Sequence, residues 1–220
     1  LLERAHLLLQ QEKFQDAIAC FKQLLKLEER VEFLQGLQQA YRGRITALAA
    51  KSMLKEAIAL LDTLVQRCPD ARVDTLKLNL LLQAGSYAEA ARLYSNCHDQ
   101  LSPEQQAQVA ALFGVLLLTG KGVKPEDFKA DSPIAQIYPK ALAAIDMFCT
   151  GQAEKFAEAL RQIPIRSPYR DLRTLLSGLH YFSRAKARGG EILRKIALDS
   201  PYYHCASWYL TTADSAKSML

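Results

Sequence analysis

Two adjacent pairs, Cys97-His98 and His204-Cys205, come nearest in this chain to a nucleophile beside its base or to soft metal ligands. Neighbours on a helix point about 100° apart, so neither pair can aim both side chains at one atom. Zinc would need the two distant pairs brought together. The carboxylate pairs Glu28-Glu29 and Glu126-Asp127 fall at segment ends, where solvation or the positive end of a helix accounts for them. Gly189-Gly190 has no preceding strand to make a phosphate loop and reads as a bend or an interhelical turn. No catalytic residues, metal site or cofactor are therefore expected, and the chain reads as non-enzymatic. The five cysteines are odd in number and form no CxxC, which fits free thiols in a reducing, cytoplasmic setting. Cys97, at an inward position after Tyr94, belongs to the core on this reading.

Half of the 220 residues are apolar, enough to bury a continuous core. The greasiest stretch, Val109 to Thr119, runs straight into Gly120 and Lys121, far short of the roughly 18 residues a membrane span requires. No membrane partner is expected. The opening at Leu1, without methionine, reads as that of a fragment or processed chain.

Apolar residues recur at three and four positions, as in Phe14, Ala17, Ile18, Phe21, Leu24 and Leu25, and no alternating run competes. Short breaks at Gln11 to Lys13, Glu28 to Arg30, Arg67 to Asp70, Gly85-Ser86, Asn96 to Pro103, Thr150-Gly151, Pro164 to Pro168 and Asp199 to Pro201 divide the chain into helices that must fold back on their neighbours. Three segments align without gaps: Lys13 to Ile18, Met53 to Ile58 and Ser86 to Ala91. Each carries a large residue three before an alanine (Ala17, Ala57, Ala90) and another large one four after it (Phe21, Leu61, Tyr94). Such spacing brings the second helix of a hairpin close to the first at the alanine.

These segments resemble the second helix of a tetratricopeptide repeat, Gly-Asp/Lys-Tyr-x-x-Ala followed by an aromatic, and Gly85-Ser86-Tyr87-Ala88-Glu89-Ala90 matches best. Pro69 and Pro201 stand where the family closes its repeats. The aligned alanines are 40 and 33 residues apart against a family period of about 34, so the helix around Val31 to Ala50 should be extended. The resemblance implies an all-α, right-handed α-α superhelix, a solenoid of antiparallel hairpins. Three tetratricopeptide-like hairpins occupy residues 1–100. Divergent hairpins over 101–220 continue the superhelix, with a loop near 120–133. The divergent part reads either as a looser relative or as a separate helical subdomain, and one continuous solenoid is the reading taken here.

A solenoid of this kind works as a non-catalytic scaffold or adaptor, holding a peptide or helix of another protein in a concave groove lined by the first helix of each pair. Extending the alignment places Leu2, His6 and Leu9, then Gln39, Arg42, Thr46 and Ala49, then Arg72, Thr75, Asn79 and Leu82 along it. Arg42, Thr46, Arg72, Thr75 and Asn79 are the expected groove-binding residues, since their side chains can hydrogen-bond an extended backbone or a carboxylate. Family members that clamp chaperone-tail carboxylates use lysines and asparagines at set places. Here those places carry Leu2, His6, Gln39 and Gly43, with Arg72 the one cation, so a mixed apolar and polar peptide is expected instead.

The net charge of +5 is concentrated. Nine basic residues against two acidic ones give +7 between Arg161 and Lys195, leaving −2 for the rest. The alternative function is therefore binding of RNA or an acidic partner through the basic C-terminal helices. Ser167-Pro168 resembles a helix start that sets Arg170 and Arg173 near one face, with Arg166, Tyr169 and Tyr181 nearby. Self-association through terminal repeats is a further expectation, with Leu1, Leu2 and Leu8 at one end and Tyr202, Trp208 and Tyr209 at the other.

Overall fold

A computed structural model describes the chain except for Asp70, Arg72 and residues 218–220, and except for the side chains of 212–217. Among the described residues there are twelve α-helices and no strand. The chain divides into two compact units, Leu1–Ser86 and Tyr87–Leu220. The first contains α1 (Leu2–Gln10), α2 (Phe14–Leu27), α3 (Val31–Ala50), α4 (Leu54–Arg67) and α5 (Asp74–Gln83). The second contains α6 (Tyr87–Cys97), α7 (Pro103–Leu118), α8 (Pro133–Cys149), α9 (Ala153–Arg161), α10 (Arg170–Phe182), α11 (Lys186–Leu193) and α12 (Tyr203–Lys217).

One kind of stop ends five of these helices. Glu12, Ser52, Gly85, Gly120 and Gly151 all adopt positive φ, between +56 and +72°. After each, the next N–H reaches back to the carbonyl five residues earlier: Lys13 to Leu8, Met53 to Leu48, Ser86 to Leu81, Lys121 to Leu116 and Gln152 to Met147, at 2.9–3.1 Å. This is the Schellman closure, which satisfies carbonyls that a helix end leaves without partners. A left-handed residue suits glycine, and Glu12 and Ser52 adopt it at a steric cost. The first three closures lie immediately before the three aligned segments.

In the first unit each helix packs on the next, and α1 also meets α3. The alanines of the aligned segments, Ala17 and Ala57, are fully buried. The α2/α3 contact is set by two glycines. A Cβ at Gly36 would overlap the Phe21 ring, and one at Gly43 would overlap the Phe14 ring. Phe14 and Phe21 are seven residues apart on α2, as are Gly36 and Gly43 on α3, so two rings seat in two notches of an antiparallel partner. Helix α3 has the extended bounds that the long first interval demands.

In the second unit α7 starts at a capping box, where Ser102 Oγ accepts from the Gln105 N–H at 3.2 Å and Gln105 Oε1 accepts from the Ser102 N–H at 3.1 Å. After the closure at Gly120 comes the expected loop rather than a helix. It is held by Asp127, a buried carboxylate that accepts from Arg92 Nε at 3.0 Å and from the Lys124 N–H at 3.0 Å. Phe128 in turn lies edge-on to Phe113, 5.3 Å between centroids.

The expected break at Gly189-Gly190 is corrected: both glycines lie inside α11. A Cβ at Gly189 would stand 2.5 Å from the Phe182 N and 2.8 Å from the Gly178 carbonyl oxygen, and one at Gly178 would stand 2.5 Å from Leu193 Cδ2. The glycines are there because the backbones of α10 and α11 nearly touch, and that contact outweighs their poor helix propensity.

Gly36→Ala sets a gain of about 1 kcal/mol in helix propensity against overpacking of about 1–3 kcal/mol, because Phe21 is buried and cannot yield. It should lower the urea midpoint. Gly43→Ala faces the half-buried Phe14, which can swing outward, and should leave the midpoint nearly unchanged. Ser52→Gly removes the left-handed strain and should raise stability by about 0.5–1 kcal/mol in the same assay.

Candidate functional site

The Phe14–Gly43 contact borders an open groove of about 460 Å³ on α3, lined by Phe14, Gln35, Gln38, Gln39, Arg42, Gly43 and Thr46. Residues spaced three, four and seven apart share a helix face, so Gln35, Gln38, Gln39, Arg42 and Thr46 form one polar stripe. Phe14 supplies the apolar border. Glutamine amides offer both donors and an acceptor, and the Arg42 guanidinium offers a planar fork, a set suited to backbone amides and carboxylates. The Thr46 hydroxyl donates to the Arg42 carbonyl at 3.0 Å, which leaves its oxygen lone pairs as acceptors.

Of the expected groove residues, the structure brings Arg42 and Thr46 together here, with Gln39 one turn before Arg42. Thr75, half-buried, and Asn79, exposed, stand on α5 and do not line this groove. Arg72 lies outside the described residues. Gln35, Gln38 and Phe14 were not among the expectations, although the 35-39-42-46 spacing on α3 carries the signal.

The basic residues of the second unit are placed less simply. Helix α10 begins at Arg170, two residues beyond Pro168, and Tyr169 occupies the cap position. The Ser167 hydroxyl accepts from the Tyr169 N–H at 3.3 Å, so serine shapes the turn before the helix rather than capping it. Tyr169 is corrected from a docking aromatic to a core residue: it is fully buried, and its hydroxyl donates to the Ile134 carbonyl at 2.9 Å. Burial, followed by the neighbouring Tyr202 and Tyr138, pushes its hydroxyl far above the ordinary tyrosine range. Arg170 pairs with Asp171 at 3.1 Å, whereas Arg173 donates to the Ile163 carbonyl at 3.0 Å. The two arginines thus serve separate contacts. Arg166 is exposed in the segment before α10.

A second cavity, of about 230 Å³, lies between α9 and α10 and is lined by Phe156, Ala157, Leu160, Arg161, Arg173, Ser177, His180 and Tyr181. His180 stacks at a tilt on Phe156, 5.0 Å between centroids. Loss of solvent, followed by the charge of Arg184, holds the imidazole below its ordinary range. Arg188 covers the Tyr181 ring at 4.2 Å.

Of the cysteines, Cys20, Cys68 and Cys97 are buried and Cys149 and Cys205 exposed, all as free thiols. Among the described residues no group of histidine, cysteine and carboxylate side chains could hold a metal ion, and no helix is long and apolar enough to cross a membrane.

Because the folded state binds a proton at His180 less well than the unfolded chain does, the unfolded state takes up more protons as pH falls below the imidazole's ordinary value of about 6.5. Stability therefore drops on acidification through that range. The urea midpoint of His180→Gln should fall less than that of the parent between about pH 7.5 and 5.5. No family model matches the chain, and no curated protein or solved structure matches it either.

Proposed function

We propose that the chain is a non-catalytic, cytoplasmic scaffold built of tetratricopeptide-like hairpins, and that the α3 groove of its first unit holds a short extended segment of a partner protein. The observation that carries this is the polar stripe Gln35, Gln38, Gln39, Arg42 and Thr46 beside the Phe14 ring. An extended peptide exposes amides on both edges, and glutamines at helical spacing can meet them in register. Arg42 adds a charge-assisted bond to a carboxylate, and Phe14 covers one apolar side chain of the ligand. Thr75 and Asn79 on α5, outside the groove, meet the continuation of a longer segment.

Peptides recovered from a phage-displayed library against the purified chain provide the probes, with affinities read by fluorescence anisotropy. Arg42→Ala should weaken them about 10- to 100-fold, the value of a hydrogen bond to a charged group, and Gln38→Ala a few-fold. Thr75→Ala and Asn79→Ala should weaken the longer binders only. Affinities unchanged in the Arg42→Ala/Gln38→Ala double variant would rule the groove out.

A further inference from the structure

We infer that the α9/α10 cavity of the second unit receives a single apolar side chain from an acidic protein segment, whose flanking carboxylates meet Arg184 and Arg188. This site is separate from the α3 groove, and either reading can fail without the other.

The cavity has an apolar base within a lining that is otherwise polar. Phe156 is buried, Leu160 is half-buried, and the rings of His180 and Tyr181 form a wall. Its volume of about 230 Å³ suits one large side chain rather than a longer stretch of chain. The rim is cationic. Arg161 and Arg173 line it, Arg184 is close enough to perturb His180, and Arg188 lies over Tyr181. No carboxylate lines the cavity. Glu158 and Asp171, the acidic residues beside it, are paired with Arg161 and Arg170, each at 3.1 Å. These arginines sit in the segment that carries +7, so the surrounding field favours an anionic ligand.

Protein is favoured over nucleic acid because sequence-tolerant binding of single strands depends on open aromatic faces for base stacking. Tyr169 and Phe156 are buried, and one face of Tyr181 is already covered by the Arg188 guanidinium. What remains open is a cavity with an apolar base and a cationic edge at Arg184 and Arg188. An amphipathic acidic segment fills both parts, its side chain displacing water from the floor and its carboxylates supplying bidentate partners for the arginines.

The test uses the whole chain and three fluorescein-labelled probes: a peptide of aspartates and glutamates around one phenylalanine, the same peptide with alanine at the centre, and a single-stranded oligouridine. The phenylalanine peptide should bind about ten-fold or more tightly than the alanine one, the expected worth of burying a large apolar side chain, with affinity falling as salt rises. Ser177→Trp, which fills the cavity from α10, should abolish that preference. Arg184→Glu, at an exposed position, should weaken both peptides and serves as the decisive variant should Ser177→Trp fail to fold. Equal binding of the two peptides, a preference that survives the folded Ser177→Trp variant, peptide affinity unaltered by Arg184→Glu, or tighter binding of oligouridine than of the phenylalanine peptide would overturn the inference.

Discussion

Two missing side chains on α3 determine how the first unit is assembled. Where Gly36 and Gly43 present bare backbone, the rings of Phe21 and Phe14 approach the helix closer than any Cβ would permit. Seven residues make nearly two helical turns, so both notches face the same way and both rings arrive from the same neighbour. Two contacts a heptad apart fix the rotation of α3 about its axis as well as its distance from α2. With the rotation fixed, the polar positions 35, 38, 39, 42 and 46 have one place to go, the edge beside Phe14. The groove follows from packing, and Gly43 belongs to both.

The same device recurs in the second unit with a different result. Gly178 and Gly189 let the backbones of α10 and α11 meet, with Leu193 pressed over Gly178. Two glycines in helix interiors sacrifice about 1 kcal/mol each in propensity, which the buried contact must offset. Because α11 lies so close, the exposed Arg184 in the connecting turn and Arg188 on α11 are carried to the His180 and Tyr181 side of α10. Cations distant from Arg161 in sequence thereby gather near one cavity.

Local signals in the sequence are faithful and long-range ones are not. Apolar periodicity and turn residues locate the helices well, down to the bounds of α3, because helix formation and termination depend on residues within a turn or two. Gly189-Gly190 misleads for a definite reason: propensity alone marks a break, and only the crossing with α10 reveals why a helix tolerates it. Tyr169 misleads similarly. Among arginines it reads as a surface aromatic, whereas its hydroxyl partner is the carbonyl of Ile134, 35 residues earlier, which no local pattern discloses. In the groove, Gln39, Arg42 and Thr46 are legible by extending the repeat alignment, while Gln35, Gln38 and Phe14 become visible only when the roll of α3 is known.

The two sites differ in the physics of capture as much as in location. Neutral amides dominate the open α3 groove, and hydrogen bonds between uncharged groups are hardly screened by salt. The α9/α10 cavity has guanidinium groups at its rim, so encounter is steered over a distance comparable with the Debye length while retention depends on the apolar floor. A chain with both proposed sites would hold one partner under conditions that release another. That division rests on the distribution of charge: seven net positive charges fall between Arg161 and Lys195 in the second unit, whereas the α3 stripe of the first is mostly uncharged glutamine. Had the basic residues been spread evenly, the groove would attract acidic chains indiscriminately, and selection by backbone geometry would be lost to long-range attraction.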